Sequence, residues 1–437
     1  MIFERLSQFR QQVYEVIGRS RDSLFDLMDA ILTSPNLSSF VRVSQNPLFR
    51  REWSSVYSSL KRSRLPQAKL MQQFTEQVPT EGPVLLSGDT TVWPRPDAVT
   101  LKERTFERSK GGKIELAQSY STIAWIPEEE GSWALPLRQE RVTSFETPVS
   151  KAAFQLKQVC RQVQVRPVVA YDRAYGNAPF MKATAGVEAD LLIRLPSNRC
   201  VWGAPPPYSG KGAPRKHGIK FKFNDPDNWP LPNAVIEVDD PKLGRVQVKR
   251  WDGYHFRRSP KRGMDIIRVE VLDPKGRRRK FKPLWLAWVG ESTPPLETVW
   301  VHYLRRFALE HWYRLSKQRL HWTLPQITNQ RAIDTWNLLG MLMSWQLWLA
   351  RDECPDTPLP WQSAQDTLSP GRVAQAFGVI LAAIGTPANA PKPRGKSPGW
   401  TKGKPRTPKA RYPSIKKRAS NRKASERSSK SPELATA

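Results

Sequence analysis

Apolar residues recur every three or four positions through the first part of the chain. Phe3, Leu6, Phe9, Val13 and Ile17 make one stripe, and Phe40, Trp53, Val56, Leu60 and Leu65 a second. That spacing buries one face of a helix. Residues 1–78 are therefore expected to form a helical N-terminal domain. Arg and Lys fill its outer faces, which suits DNA binding or plain packing. After Glu81-Gly-Pro the period changes. Val84-Leu-Leu-Ser-Gly-Asp89 is a short apolar run closed by an acid, the pattern of a buried strand. Two more strands are expected over 117–126 and 133–142, joined as a hairpin through Glu128-Glu-Glu-Gly131. A helix over 148–164 precedes a strand over 167–172 that ends in Asp172. A short helix over 178–185 and a strand over 189–195 follow.

The order is β-β-β-α-β-α-β, with acids at the ends of the first and fourth strands. It predicts an α/β fold of the ribonuclease H-like kind, a mixed β-sheet flanked by helices, over 79–195. Residues 196–290 differ in texture. Runs such as Gly210-Lys-Gly-Ala-Pro-Arg-Lys-His217 alternate with apolar stretches at 234–238, 245–251, 266–272 and 283–289. They predict a β-rich, basic insertion. Five Trp lie within it, and most of these are expected in a core. Residues 291–385 return to helical spacing, with helices expected over 303–317, 328–351 and 371–384; the second should close the sheet from behind. Residues 386–437 hold 15 Lys and Arg against two acids and are expected to be a disordered basic tail.

Composition narrows the partners. The 437 residues carry 70 Lys and Arg against 40 Asp and Glu, a formal charge of +30. Such a surplus points to a polyanion, most simply nucleic acid. The one long apolar run, 336–350, is too short to span a bilayer. No signal peptide is evident at the N-terminus. Three scattered cysteines give neither a zinc motif nor a disulfide framework. These features predict a reduced, cytoplasmic protein without structural zinc and without a membrane.

Chemistry concentrates in 303–317. Tyr303, Arg306, Glu310 and Lys317 lie at offsets of 3, 7 and 14 from the tyrosine. On one straight helix they would share a face within roughly 60°. Arg and Lys grip phosphate oxygens, and a carboxylate can hold a divalent cation. An ordinary Arg306–Glu310 surface pair is the plainer reading. Two further acids, Asp89 and Asp172, change the balance. Carboxylates converging from two strands and a helix repel one another unless cations join them, and an all-oxygen set suits Mg²⁺.

The pattern resembles the DDE transposases of bacterial insertion sequences that carry a Tyr-x2-Arg-x3-Glu-x6-Lys signature. Tyr303, Arg306, Glu310 and Lys317 match every gap of it, with Asp89 in Ser-Gly-Asp-Thr-Thr and Asp172 in Ala-Tyr-Asp-Arg-Ala-Tyr-Gly as the two aspartates. The resemblance covers about 80–350. It implies that Asp89, Asp172 and Glu310 hold two Mg²⁺ ions, for which Mn²⁺ can substitute. It implies double-stranded DNA as partner, both the inverted-repeat ends that are cut and the target to which the 3′ ends are joined. Tyr303, Arg306 and Lys317 would contact terminal phosphates, and Trp285 or Trp288 would stack on a flipped base. A homodimer in the synaptic complex and a nucleoid-associated place in a bacterial cytoplasm are implied too. The alternatives are an inactive or domesticated relative that only binds DNA, and a ribonuclease H-like nuclease.

Overall fold

The structure is a computed structural model that describes residues 2–108, 112–273, 282–393, 395 and 399–417. Four helices open the chain: α1 (Glu4–Val16), α2 (Arg21–Leu32), α3 (Trp53–Arg62) and α4 (Gln67–Thr75). Strands β1 (Leu85–Pro94), β2 (Thr105–Arg108), β3 (Ile114–Trp125) and β4 (Leu135–Val142) follow, then α5 (Pro148–Cys160), β5 (Val168–Tyr171), α6 (Ala178–Ala183) and β6 (Asp190–Leu195). Strand β3 is antiparallel to β1 and β4, whereas β5 is parallel to both β1 and β6. The resulting order, β4-β3-β1-β5-β6, makes a mixed sheet flanked by helices, consistent with the ribonuclease H-like core. Helix α5 starts where expected because Thr147 and Ser150 form a reciprocal capping box ahead of Pro148. Strand β2 escaped sequence reading: four residues of mixed polarity carry no periodicity.

The insertion is β-rich, as its texture suggests. It contains β7 (Cys200–Trp202), β8 (Lys220–Lys222), β9 (Ala234–Asp240), β10 (Gly244–Phe256), β11 (Ser259–Val271) and β12 (Leu284–Val289). It does not stand apart from the core. Strand β12 pairs antiparallel with β6, Leu286 opposite Arg194, so the insertion continues the same sheet.

Two helical layers cover that sheet. Helix α9 (Gln330–Ala350) is buried along almost its whole length. A helix apolar all round needs cover on every side. Here β4 lies beneath it and α1, α3 and α10 (Pro370–Ile384) pack on its other sides. Trp345 stacks on Phe74 and Trp125 and donates from Nε1 to the Pro136 carbonyl at 2.9 Å. The first 78 residues therefore share a core with α9 and α10 rather than forming a domain of their own. Arg10 is buried there, paired with Asp29 at 2.8 Å and donating to Gln346.

Helices α7 (Leu296–Arg305) and α8 (Ala308–Gln318) cover the face that carries Asp89, and α8 meets α9 there, with Trp312 Nε1 donating to Ser344 Oγ at 2.8 Å. The single helix expected over 303–317 is thus broken at Arg306 and Phe307. The break is a tight turn, with the Arg306 and Phe307 N–H groups donating to Tyr303 and Leu304 carbonyls. Packing explains it. Helix α7 buries Val299, Trp300 and Tyr303 over β6, β12, β11 and β10, while α8 buries Leu309, Trp312 and Tyr313 over β1, β3 and β5. A twisted sheet does not offer both patches to one straight rod.

The C-terminal stretch also departs from expectation. Ala388 is buried, and Asn389 donates to Asp22 and to the Tyr14 hydroxyl. Further on, the Tyr412 and Ile415 N–H groups donate to Val99 and Arg104 carbonyls, and Lys417 pairs with Glu107 at 2.8 Å. The tail is anchored at both places; residues 418–437 lie outside the described residues. Among the described residues no helix is long and apolar enough to cross a membrane, and the three cysteines are free.

Candidate active site

Asp89 sits inside β1, and Asp172 directly follows β5. The two strands are parallel, with Gly88 opposite Tyr171. Asp89 and Asp172 are therefore the next pair in register, on neighbouring strands about 4.8 Å apart. Glu310 comes from the first turn of α8. That helix is tied to β1 by the Tyr313 hydroxyl, which donates to the Asp89 carbonyl at 3.0 Å. Arg306, at the break, reaches two of the three acids: Nη1 lies 3.3 Å from Asp89 Oδ2, and Nη2 lies 3.2 Å from Glu310 Oε1. Arg306, which helical spacing already sets on one face with Glu310, is a buried bridge between two carboxylates.

The remaining polar groups hold the acids in place. Asp89 Oδ1 accepts from the Thr90 N–H at 2.7 Å, and Asp172 Oδ1 accepts from the Ala174 N–H at 2.8 Å. The Asp89 side chain is 19% exposed, so the recess has a mouth. Burial first, then the charge of Asp172 and more weakly that of Glu310, push the Asp89 carboxyl up to about 6, against Arg306 and the Thr90 N–H. Burial works against the charge on Arg306, yet Tyr303, Asp89, Glu310 and Asp172 together hold its pKa above the usual range. Tyr303 packs at the inner edge, its ring centroid 5.6 Å from the Arg306 guanidinium. Its buried hydroxyl has no hydrogen-bond partner among the described residues, and burial raises its pKa.

The structure thus gathers Asp89, Asp172, Glu310, Arg306 and Tyr303. Lys317 is half-buried seven residues beyond Glu310, roughly 10 Å along α8. Trp285 and Trp288 are not at the recess. Each is 3% exposed. Trp285 stacks on Phe223 at 4.1 Å within a cluster with Phe221, Trp229 and Trp251, and Trp288 packs against Val299 and Trp300 and donates to the Ser292 carbonyl. Neither ring has an open face for a base, because β12 is a central strand covered on both sides. Sequence reading missed Tyr313, Gly88 and the buried Tyr171 and Tyr175 beneath the acids. Tyr313 lies three residues after Glu310 and so on nearly the same face. Gly88 stood in plain sight as a glycine inside a strand.

A family model described as DDE superfamily endonuclease matches residues 12–256. The chain belongs to that superfamily. Endonucleases of the DDE superfamily typically use divalent metal ions. The match includes Asp89 and Asp172 and ends before Glu310. No curated protein matches it.

The donor set fits a hard divalent cation in kind. All three groups are carboxylates, the hard oxygen donors that such an ion takes. Among the described residues no three His, Cys, Asp or Glu stand close enough to hold one ion as placed. Arg306 accounts for that: its guanidinium fills the space between Asp89 and Glu310 and supplies the positive charge there.

Proposed function

We propose that this DDE endonuclease is a transposase of the Tyr-Arg-Glu-Lys type. It cuts the inverted-repeat ends of an insertion sequence and joins their 3′ ends to target DNA. Asp89, Asp172 and Glu310 are the residues that would hold two Mg²⁺ ions, or Mn²⁺ in their place. Bound there, such ions lower the pKa of water and stabilise the leaving oxygen of a phosphodiester. Every other contribution is the chain's own. Tyr313 and the Thr90 N–H fix Asp89, the Ala174 N–H fixes Asp172, and the α8 backbone presents Glu310. Arg306 moves from the carboxylates to a DNA phosphate as substrate enters, since it pairs with either through the same fork. Tyr303 supports Arg306 from within, and Lys317 neutralises phosphate further along α8.

One observation carries this reading: Asp89 and Asp172 stand in register on neighbouring parallel strands, and Arg306 joins Asp89 at 3.3 Å to Glu310 at 3.2 Å, an acid 138 residues beyond Asp172. The match of all four signature positions supports it. The test is cleavage of a DNA duplex ending in the element's inverted repeat. Mg²⁺-dependent nicking is expected from the native chain. Asp89→Asn, Asp172→Asn and Glu310→Gln should each lose at least about 10²-fold in rate while DNA binding persists. A variant that still cuts at the native rate would remove its residue from the catalytic set.

The position of Arg306 favours one alternative, a DNA-binding relative in which Arg306 permanently occupies the place of the ions. Absence of nicking at any Mg²⁺ or Mn²⁺ concentration would establish it. Cutting without joining would instead leave a ribonuclease H-like nuclease.

A further inference from the structure

A buried arginine is costly unless a negative group is buried with it, so buried guanidinium groups normally lie beside carboxylates. Six arginines are buried among the described residues. Four follow the rule. Arg10 pairs with Asp29, Arg268 with Glu270, Arg306 with Asp89 and Glu310, and Arg372 with Asp356. Arg95 and Arg104 do not. They are 3% and 4% exposed and form no ion pair among the described residues.

Both belong to the loop that leaves β1 and enters β2. Pro94 and Pro96 flank Arg95, whose N–H donates to the Leu116 carbonyl of β3 at 2.8 Å, and Leu101 is fully buried in the middle of the loop. Arg95 Nη2 donates to the Ile327 carbonyl at 2.5 Å, and the guanidinium lies 4.8 Å from the Trp93 ring centroid. Its Nε and Nη1 are buried without a hydrogen-bond partner, and among the described residues no other arginine has two such nitrogens. Arg104 donates from Nη1 to the Pro96 carbonyl at 2.7 Å and from Nη2 to the Tyr412 carbonyl at 3.4 Å, and its buried Nε has no partner among the described residues. The two cations feel each other. Burial foremost, opposed by Tyr120 and aided by Arg104, holds the Arg95 pKa below the usual arginine range. The acids nearest in sequence are committed elsewhere. Asp97 is exposed, Glu103 pairs with Arg141, and Glu107 pairs with Lys417 at 2.8 Å.

Three pieces of chain close around the pair: the loop itself, the approach to α9 at Ile327, and the C-terminal stretch. The last is tied down by the Tyr412 N–H on the Val99 carbonyl and the Ile415 N–H on the Arg104 carbonyl. A hollow of about 420 Å³ opens beside them. Thr100, Lys102, Thr328 and Tyr412 line it, each in or next to the segments that hold the two arginines, together with Lys61 and Arg331. None of the residues lining it is acidic.

We propose that Arg95 and Arg104 form a binding site for a small inorganic oxyanion of the phosphate class. A guanidinium edge meets two oxygens of such an ion at once, which suits the adjacent Nε and Nη1 of Arg95 and the Nε of Arg104. The ion supplies the negative charge that no side chain provides there. Because Arg104 is bonded to the C-terminal stretch, the ion also fastens that stretch to the loop. The site does not depend on the nuclease reading, since it lies roughly 20 Å along β1 from Asp89.

The test is titration of the full chain with inorganic phosphate, without DNA or divalent metal, at an ionic strength of about 0.15 M set with sodium chloride. Calorimetry should show one saturable phosphate per chain. The denaturation midpoint should rise with the logarithm of phosphate concentration above the dissociation constant. Arg95→Met and Arg104→Met should each bind phosphate about 10- to 100-fold more weakly. Without phosphate, Arg95→Met should unfold no earlier than the native chain, because it removes a buried charge that lacks a counterion. The control Lys157→Gln/Arg161→Gln, which removes two exposed cations on and beside α5, should bind phosphate as the native chain does. A native chain with no saturable phosphate binding overturns the proposal whatever the variants do. So does either arginine variant that binds phosphate at native strength. A midpoint that rises equally with chloride makes the site a halide site and overturns the oxyanion. Displacement of phosphate by a saturating DNA duplex assigns the two arginines to a DNA backbone and overturns the proposal as well.

Discussion

Gly88 decides where Asp89 can be. A side-chain carbon added there would fall inside the ring of Tyr171. Tyr171 cannot retreat, because it is fully buried against Tyr175 and Phe180 with ring centroids 4.8 Å away in each case. Cores this dense do not absorb an extra methyl group freely. Gly88→Ala is therefore expected to cost about 1–3 kcal/mol in denaturant unfolding. Because the displaced backbone carries Asp89, cleavage should fall further than the lost stability explains. A variant with native melting and native cleavage would show that the strand tolerates the carbon. The signal was present in the sequence, since glycine inside a buried strand marks a close approach. The role of Arg306 was not. Helical spacing set it on one face with Glu310, and the docking of α8 on β1 is what brings that face to Asp89.

At the scale of elements, the joint between the catalytic helices and the N-terminal layer rests on two residues after α8. Arg319 donates to the Ile31 and Leu32 carbonyls at 3.2 and 2.6 Å and to Ala374 at 2.8 Å. It thereby caps the C-terminus of α2 and clasps α10, a favourable place for a cation. Burial lowers its pKa to about 10, which leaves it charged. Arg319→Met is expected to cost on the order of 2–3 kcal/mol, read by denaturant unfolding. His321 is buried next to it and meets the Ser34 carbonyl at 2.9 Å. Burial first, and the charge of Arg319 after it, hold its pKa below the usual histidine value, against the pull of Ser34. A depressed histidine adds stability above its unfolded pKa of about 6.5 that is lost as pH falls through the folded value. His255, His302 and His311 are depressed as well, with burial the leading cause. From pH 7 to pH 5 these histidines lower the melting temperature, while the raised Asp89 carboxyl, which takes up a proton over the same range, opposes them. His321→Gln keeps a donor for Ser34 and should drop less; identical pH profiles would exclude His321 as a contributor.

At the scale of the molecule, the chain closes on itself. Its C-terminal stretch returns to β2, where Ile415 bridges to Thr105 and Tyr412 packs under Lys102 at 5.0 Å. Ending the chain at Ala410 removes two backbone hydrogen bonds and the Lys417–Glu107 pair. About 1–2 kcal/mol of stability should go with them, visible as a lower denaturation midpoint. An unchanged midpoint would mean that the strap adds nothing to the fold. The same closure sets 411–417 apart from the free tail that the basic composition of 386–437 suggests. Lys, Arg and Pro describe a segment that cannot build its own core, but not one that borrows hydrogen bonds from an existing edge.

Local pattern was enough for the alternation of strands and helices over 79–195 apart from β2, for the helical character of the first 78 residues and for β9 to β12 of the insertion, though not for the short β7 and β8. These depend on period and turn chemistry, which neighbouring residues carry. The pairing of Asp89 with Asp172 followed once each acid was placed on an apolar strand, although β1 runs on to Pro94 past Asp89. Three things needed tertiary contacts. The N-terminal helices joined the main body because α9, apolar on every side, had no other cover. Trp285 and Trp288 became core because β12 lies between β6 and β11 in the middle of the sheet. One long helical stretch became two because the sheet beneath it twists, and the docking of α8 on β1 set Arg306 among the carboxylates.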